Sequence, residues 1–84
     1  MIHLKEKFLD SRSVAIDVDG VIDLGSIPML EAVCQRYLNE GTRVSLNLES
    51  VLHITREGRR FIQVMQEKVH IVNLPEFVKL EQGS

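Results

Sequence analysis

Two aspartates spaced two residues apart on an apolar segment are the first side chains in this sequence that could perform chemistry. Asp17 and Asp19 alternate with valine and are followed at once by Gly20. In such a pair, one carboxylate can attack a phosphoryl group while the other moves a proton and Mg²⁺ neutralises the phosphate. The spacing is therefore compatible with phosphoryl transfer, provided that the chain supplies the other groups.

The rest of the chain does not supply those groups. The D-x-D-G pattern resembles the first motif of haloacid-dehalogenase-type phosphatases, which also need a Ser or Thr, a Lys and later acidic metal ligands. No aspartate follows Asp23, and the only later lysines are Lys68 and Lys79. Because short motifs often arise by chance, we expect Asp17 and Asp19 to be solvent-facing strand residues and the chain to have no catalytic residue. A minimal phosphatase-like enzyme that uses the two aspartates is the alternative.

The other reactive side chains do not suggest a site. His3, His53 and His70 lie on separate predicted elements, so we expect no metal site. Cys34 is the only cysteine and falls on the apolar side of a predicted helix, where an inert core thiol is expected. No cofactor is predicted.

A basic cluster, Arg56, Arg59 and Arg60, lies in the first turns of a second predicted helix. Cations at a helix N-terminus oppose the helix dipole, so helix stability does not explain the cluster. A solvated charged face is the common interpretation. The alternative is a docking surface for an acidic partner or a phosphate group.

The composition limits the size and class of the protein. Its 84 residues, 44% of them apolar and 26% charged, suffice for one soluble domain over residues 1–84. A formal net charge of −2 provides no overall positive field for nucleic acid. No apolar run approaches the ~18 residues of a membrane span, so we expect a cytoplasmic protein without membrane insertion. We also expect a monomer or a weak homodimer.

Hydropathy patterning predicts the elements that position these residues. Segments with a two-residue apolar period, typical of strands, are 2–8, 14–19 with a continuation at 21–23, 44–48 and 69–72. Segments with helical signals are 27–40, a short helix capped by Thr55, and a stretch that Pro75 opens. Strands that alternate with helices predict an α/β fold, a four-stranded mixed β-sheet with helices mainly packed on one face.

The first helix has the clearest signals. Ser26 is its expected N-cap and Gly41 follows its last turn. In the second helix Gly58 is expected to face the sheet. The apolar positions predicted to form one core are Leu30, Val33, Tyr37, Leu46, Leu48, Phe61, Ile62 and Ile71.

The order of these elements and several residues within them resemble the STAS domain, the family of sulphate transporters and anti-sigma-factor antagonists. The segment Val18-Asp19-Gly20-Val21-Ile22-Asp23 is similar to the V-x-G-x-[IL]-D pattern of that family. Where members carry D-S-[ST]-G at the start of the second helix, this chain reads Thr55-Arg56-Glu57-Gly58. The resemblance spans nearly the whole chain and implies a single STAS-like domain.

The resemblance also implies a function. STAS domains of this kind are non-catalytic protein-interaction modules in bacterial signalling and transcription regulation. In antagonists the Ser of D-S-[ST]-G is phosphorylated by a partner kinase, and Arg56 occupies that position here. The resemblance therefore implies a docking scaffold without the serine phosphoswitch. Thr55 is a candidate for phosphorylation, although its hydroxyl is expected to cap the second helix.

The partner-facing surface that the resemblance implies combines the loop before the first helix with the start of the second. Its candidate residues are Asp23, Ser26, Thr55, Arg56, Glu57, Arg59 and Arg60. The expected partner is a protein, either an anti-sigma factor or its kinase-like relative. The alternative is the cytosolic ATPase of a membrane transporter, with this chain as an accessory STAS subunit.

Overall fold

All four strands that the sequence pattern predicts are present in the computed structural model, which describes residues 2–77. The strands and helices are β1 (Ile2–Asp10), β2 (Ser13–Ile22), α1 (Ile27–Asn39), β3 (Arg43–Ile54), α2 (Arg56–Met65) and β4 (His70–Val72). The sheet order is β1-β2-β3-β4. β1 is antiparallel to β2, whereas β3 is parallel to both β2 and β4. The predicted four-stranded mixed α/β sheet is confirmed.

One face of the sheet holds the core. Alternate residues of the two central strands are buried on that face, namely Val14, Ile16, Val18, Val44, Leu46 and Leu48. Both helices add side chains to the same cluster, namely Leu30, Cys34, Tyr37, Ile62 and Met65. Both helices therefore cover the same side of the sheet, and the opposite side is mainly polar. None of the helices within residues 2–77 is long and apolar enough to cross a membrane.

Of the eight residues predicted to form the core, five are buried and three lie at the margin of the core. Those that are buried as predicted are Leu30, Tyr37, Leu46, Leu48 and Ile62. Val33, Phe61 and Ile71 pack against the cluster but are only partly buried. Ile71 is less buried than predicted because β4 is a short edge strand with a neighbour on one side only. Cys34 is buried, and burial raises the pKa of its thiol to about 11, as expected for an inert core cysteine.

The third strand is longer than the pattern predicts. The strand predicted at 44–48 continues into a second apolar run at 51–54, and both belong to β3. The register with β2 shifts twice: Asp17 pairs with Asn47 whereas Asp19 pairs with Ser50, and a second shift follows Gly20. Each shift inserts an extra residue into β3 and resets its alternation of faces. The two-residue apolar period is therefore interrupted at these points, and the sequence pattern does not show the full length of β3.

The edge strand β1 is attached to α1 by side chains. The Tyr37 hydroxyl donates a hydrogen bond to the Glu6 carboxylate, and Arg36 lies 3.4 Å from the same carboxylate. The Phe8 ring meets the Tyr37 ring edge to face at a centroid distance of 5.8 Å. These contacts hold the edge strand β1 against α1.

The predicted third helix falls mostly outside the described residues. Glu76 and Phe77 form a turn, and Phe77 is exposed. The apolar positions Val78 and Leu80 of that prediction lie outside the described residues. β4 begins at His70, one residue later than predicted.

Candidate functional site

The carboxyl ends of β2 and β3 lie side by side at one end of the sheet. The two strands are parallel neighbours, and Ile22 pairs with Ile54. The backbone N–H and the hydroxyl of Thr55 donate to the Ile22 carbonyl oxygen at 3.0 and 3.3 Å. Binding sites in open α/β sheets occur at this end of the strands. The loop at 23–26 and the start of α2 are thus brought together.

The loop after β2 is closed by two reciprocal hydrogen bonds. The Ser26 N–H donates to Asp23 Oδ1 at 2.9 Å, and the Asp23 N–H donates to Ser26 Oγ at 2.9 Å. The bonds from Ser26 lower the pKa of the Asp23 carboxyl because they stabilise its charged form. Ser26 is buried, so Asp23 and Ser26 shape the loop from within. Leu24 and Gly25, between them, are exposed.

Ser26 occupies the N-cap position of α1, as predicted, but its side chain does not cap the helix. Ser26 precedes the helix, but its backbone is in the helical region, with φ −93° and ψ −13°, and its side chain makes no capping bond. A capping side chain needs an extended backbone to reach the N–H groups of the first turn. The Ser26 hydroxyl instead points back and donates to the Asp23 carbonyl at 3.1 Å. It therefore stabilises the loop rather than the helix.

Thr55 caps α2, as predicted. Its backbone is extended, and its Oγ1 accepts a hydrogen bond from the Gly58 N–H at 3.2 Å. Because the same hydroxyl donates to Ile22, it is used both as donor and as acceptor. Thr55 thus fixes the first turn of α2 to the end of β2.

Gly58 allows α2 to approach the sheet closely, as the sequence pattern indicated. A Cβ atom at this position would lie 2.5 Å from the Ile22 carbonyl oxygen and 2.9 Å from Ile54 Cγ2. Any side chain would therefore push the helix away from the strand ends. The buried face of α2 continues from Gly58 through Ile62 and Met65.

The exposed residues at this end of the sheet form what we call the carboxyl-end surface. Its members are Leu24, Gly25, Arg56, Glu57, Arg59 and Arg60. Three arginines against Glu57 leave an excess of two positive charges on the start of α2, and none of these arginines forms an ion pair within residues 2–77. Leu24 is 68% exposed and contributes an apolar side chain to this surface. Sequence reasoning did not select Leu24 by name, although an apolar residue in a short polar loop was the available signal.

Asp17 and Asp19 lie on the helix-free face of the sheet, away from the carboxyl-end surface. Asp17 is half-buried, with Oδ2 3.4 Å from Lys7 Nζ and Oδ1 accepting from Asn47 Nδ2 at 3.1 Å. Asp19 is exposed. A shallow depression of about 300 Å³ beside them is lined by His3, Leu4, Lys5, Asp17, Asp19 and Ser50. Lysine and amide groups, rather than further carboxylates, thus surround the pair.

The histidines are dispersed over the sheet. His3, His53 and His70 are exposed on β1, β3 and β4. Within the part of the chain that the structure describes, no three His, Cys, Asp or Glu side chains are grouped so that they could hold a metal ion.

Acidification should loosen the loop that Asp23 closes. Because the folded-state pKa of Asp23 lies below 3.8, its charge stabilises the folded protein above the unfolded-state pKa, and this contribution is lost as the pH falls through the folded-state value. When the pH is lowered from about 5 to 2, we expect the free energy of unfolding of Asp23→Asn, measured with urea, to fall less than that of the parent. Asp19→Asn is the matched control, and equal pH profiles for parent and Asp23→Asn would contradict the role of Asp23.

Comparison with known proteins yields similarity in structure only. No protein-family model matches the sequence, and no curated protein matches it significantly. An anti-sigma factor antagonist from Mycobacterium paratuberculosis superposes with a TM-score of 0.70 at 17% identity, over 84% of this chain and 64% of that one. The chain thus spans slightly less than two thirds of that protein.

Two further solved structures are similar. SpoIIAA, an anti-sigma factor antagonist in its unphosphorylated form, superposes with a TM-score of 0.60 at 13% identity, over 89% of this chain and 92% of that one. Mglu superposes with a TM-score of 0.67 at 23% identity, over 89% of this chain but only 20% of Mglu. The resemblance in sequence pattern and the superpositions lead to the same result: this chain has the STAS-like fold of the anti-sigma factor antagonists.

Proposed function

We propose that the protein is a non-catalytic interaction module of bacterial regulation, located in the cytoplasm, that binds a protein partner through the carboxyl-end surface. The observation that carries this proposal is a group of arginines on α2 that form no ion pair within residues 2–77, at the same end of the sheet as the exposed Leu24. Two of the similar structures are anti-sigma factor antagonists by name, so an anti-sigma factor or its kinase is the partner class that we favour.

The composition of the surface suits a protein interface. Arginine is enriched at interfaces because its planar guanidinium forms two parallel hydrogen bonds with a carboxylate and also packs on apolar groups. Leu24 offers an apolar contact at the same end of the sheet, and arginine is one of the residues that most often carry the binding energy of an interface. The partner's facing patch should be acidic with an apolar recess, and association should weaken as salt rises.

Three of the predicted site residues support this surface without forming its contact area. Asp23 and Ser26 are bonded to each other, and Thr55 is bonded to the end of β2 and to α2. Phosphorylation of Thr55 would remove the cap of α2, and Arg56 cannot accept a phosphate. We therefore propose constitutive docking, with Arg56, Glu57, Arg59 and Arg60 as the charged contacts, rather than a phosphoswitch on this chain.

The absence of catalysis in this proposal rests on the surroundings of Asp17. Its carboxylate is occupied by Lys7 and Asn47, and it lies in mid-strand rather than at a strand end. A nucleophilic carboxylate needs a free oxygen directed at a bound phosphoryl group, with a metal ion to neutralise the charge. We expect no Mg²⁺-dependent hydrolysis of a generic phosphate ester that Asp17→Asn abolishes.

Reversing two charges on α2 tests the docking surface. The double variant Arg56→Glu with Arg59→Glu should leave stability within about 0.5 kcal/mol, since both side chains are exposed. Binding to the anti-sigma factors of the same organism should weaken at least about tenfold, because the acidic partner would then meet like charges. Urea unfolding measures the stability, and titration calorimetry at two salt concentrations measures the affinity and its dependence on salt.

The matched control is Lys5→Glu with Lys68→Glu, which makes the same change of charge on exposed residues elsewhere. This variant should bind as the parent does. Equal affinity of the parent and the α2 variant would place the interface elsewhere and would refute the proposal.

A further inference from the structure

The opposite end of the sheet has a polar cavity that the carboxyl-end surface does not involve. An open cavity of about 530 Å³ lies where the β1–β2 turn meets the start of β3. Its lining consists of Asp10, Ser11, Arg12, Ser13, Gly41 and Arg43. The volume falls in the range of roughly 300–1,000 Å³ that is usual for small-molecule sites. Most small-molecule sites are lined mainly by apolar side chains, whereas charged and hydroxyl side chains line this cavity. Its lining therefore suits a polar ligand.

The backbone fixes the two arginines of this cavity next to each other. The Arg43 N–H donates to the Arg12 carbonyl at 2.7 Å, and Ser13 pairs with Arg43 in the parallel register of β2 and β3. The Arg12 N–H donates to Asp10 Oδ1 at 2.7 Å, which closes the β1–β2 turn. Both guanidinium groups therefore extend from ordered, adjacent positions.

Neither guanidinium has a partner among residues 2–77. Within residues 2–77, Arg12 and Arg43 are exposed, and all hydrogen bonds that they make are through their backbones. Arg36, by contrast, is paired with Glu6. Asp10 is the only acid in the lining, and one of its oxygens is already occupied by the turn. The cavity thus keeps an excess of positive charge and ten N–H donors on two side chains.

Stabilisation of the C-terminus of α1 does not explain these arginines. Cations near a helix C-terminus can satisfy its last carbonyl groups. Here the Tyr37 carbonyl already accepts from the N–H groups of Glu40 and Thr42, and the Leu38 carbonyl accepts from Gly41. The last turn of α1 is therefore closed by backbone bonds.

We propose that this cavity binds a small phosphorylated molecule, whose phosphoryl group lies between Arg12 and Arg43. Arginine matches phosphate oxygens with two parallel N–H donors, and the hydroxyls of Ser11 and Ser13 can add further hydrogen bonds. Gly41, with φ +78° and open space where a Cβ would stand, leaves room at the wall for the organic part of the ligand. This inference is independent of the proposed docking function.

Amide chemical shifts of the ¹⁵N-labelled protein can test the site with defined probes. Inorganic phosphate, adenosine 5′-monophosphate and glycerol 3-phosphate should each cause saturable shifts confined to residues 10–13 and 41–43. Adenosine and glycerol, which lack the phosphoryl group, should cause none. Binding of the unphosphorylated compounds at these residues, or saturation by none of the phosphorylated probes, would overturn the proposal.

Two pairs of substitutions separate a built site from general attraction of anions. Arg12→Gln with Arg43→Gln should weaken binding of the phosphorylated probes at least about tenfold, since charge-assisted bonds to phosphate are lost. Arg56→Gln with Arg59→Gln removes the same charge at the other end of the sheet and should leave the affinity unchanged. If the first pair fails to fold, the single change Arg12→Gln in the exposed turn gives the same measurement. Equal losses in both variants would refute the site.

Discussion

Truncation of Ile62 to alanine should lower the free energy of unfolding by about 2–5 kcal/mol. The Ile62 side chain is completely buried between α2 and the sheet, within the single core cluster. Its removal would expose no new surface to water but would leave a cavity that a close-packed core fills only in part. A domain of this size has about 5–15 kcal/mol of stability, so the variant should be close to unfolding.

The neighbouring residue provides the control. Phe61 is larger than Ile62 but only partly buried, because it lies on the flank of α2. Phe61→Ala should therefore cost less than Ile62→Ala, although it removes more atoms. Urea unfolding followed by circular dichroism gives both values. A greater loss for Phe61→Ala would mean that α2 is rotated about its axis from the orientation described above.

Replacement of Gly58 by alanine should destabilise the protein by about 1–3 kcal/mol. In an exposed helix the same change is stabilising by about 1 kcal/mol, because alanine is the better helix former. The sign reverses here because the new methyl group would lie 2.5 Å from the Ile22 carbonyl oxygen. That carbonyl accepts the Thr55 N–H, so the strand cannot move without loss of the bond that fixes the start of α2. The helix must shift instead.

The shift of α2 has a consequence for the proposed docking surface. Arg56 and Arg59 are carried by the displaced turn, so Gly58→Ala should also weaken partner binding under conditions where the variant is folded. Gly25→Ala, in the adjacent loop, is the control for stability, since its Cβ would meet nothing closer than Asp23 Oδ1 at 3.6 Å. A stability of Gly58→Ala equal to or above that of the parent would show that α2 lies farther from the sheet.

The proposed site could be predicted in part from the sequence. The cap formed by Thr55 and the close approach at Gly58 are visible in a four-residue segment, because a capping bond spans three residues and a glycine in a helix needs a packing reason. The arginines could be placed on the exposed side of α2 because they fall between its inward positions. Exposure of Leu24 and burial of Ser26 depend on how the loop closes, and hydropathy does not encode that.

The four strands, the two helices and their order can be predicted from the sequence pattern. Alternation of apolar residues in β1 and β2, the helical stripe of α1 and the turn residues between them depend on contacts within about four residues, which periodicity reports directly. From these the α/β class and the helix-covered sheet follow. Three features depend instead on tertiary contacts: the bulges that merge two apolar runs into β3, the pairing of Asp17 with Lys7 and Asn47, and the backbone bond between Arg12 and Arg43. Each of these joins residues that are distant in the chain, and their contact depends on strand register, which local patterns leave open.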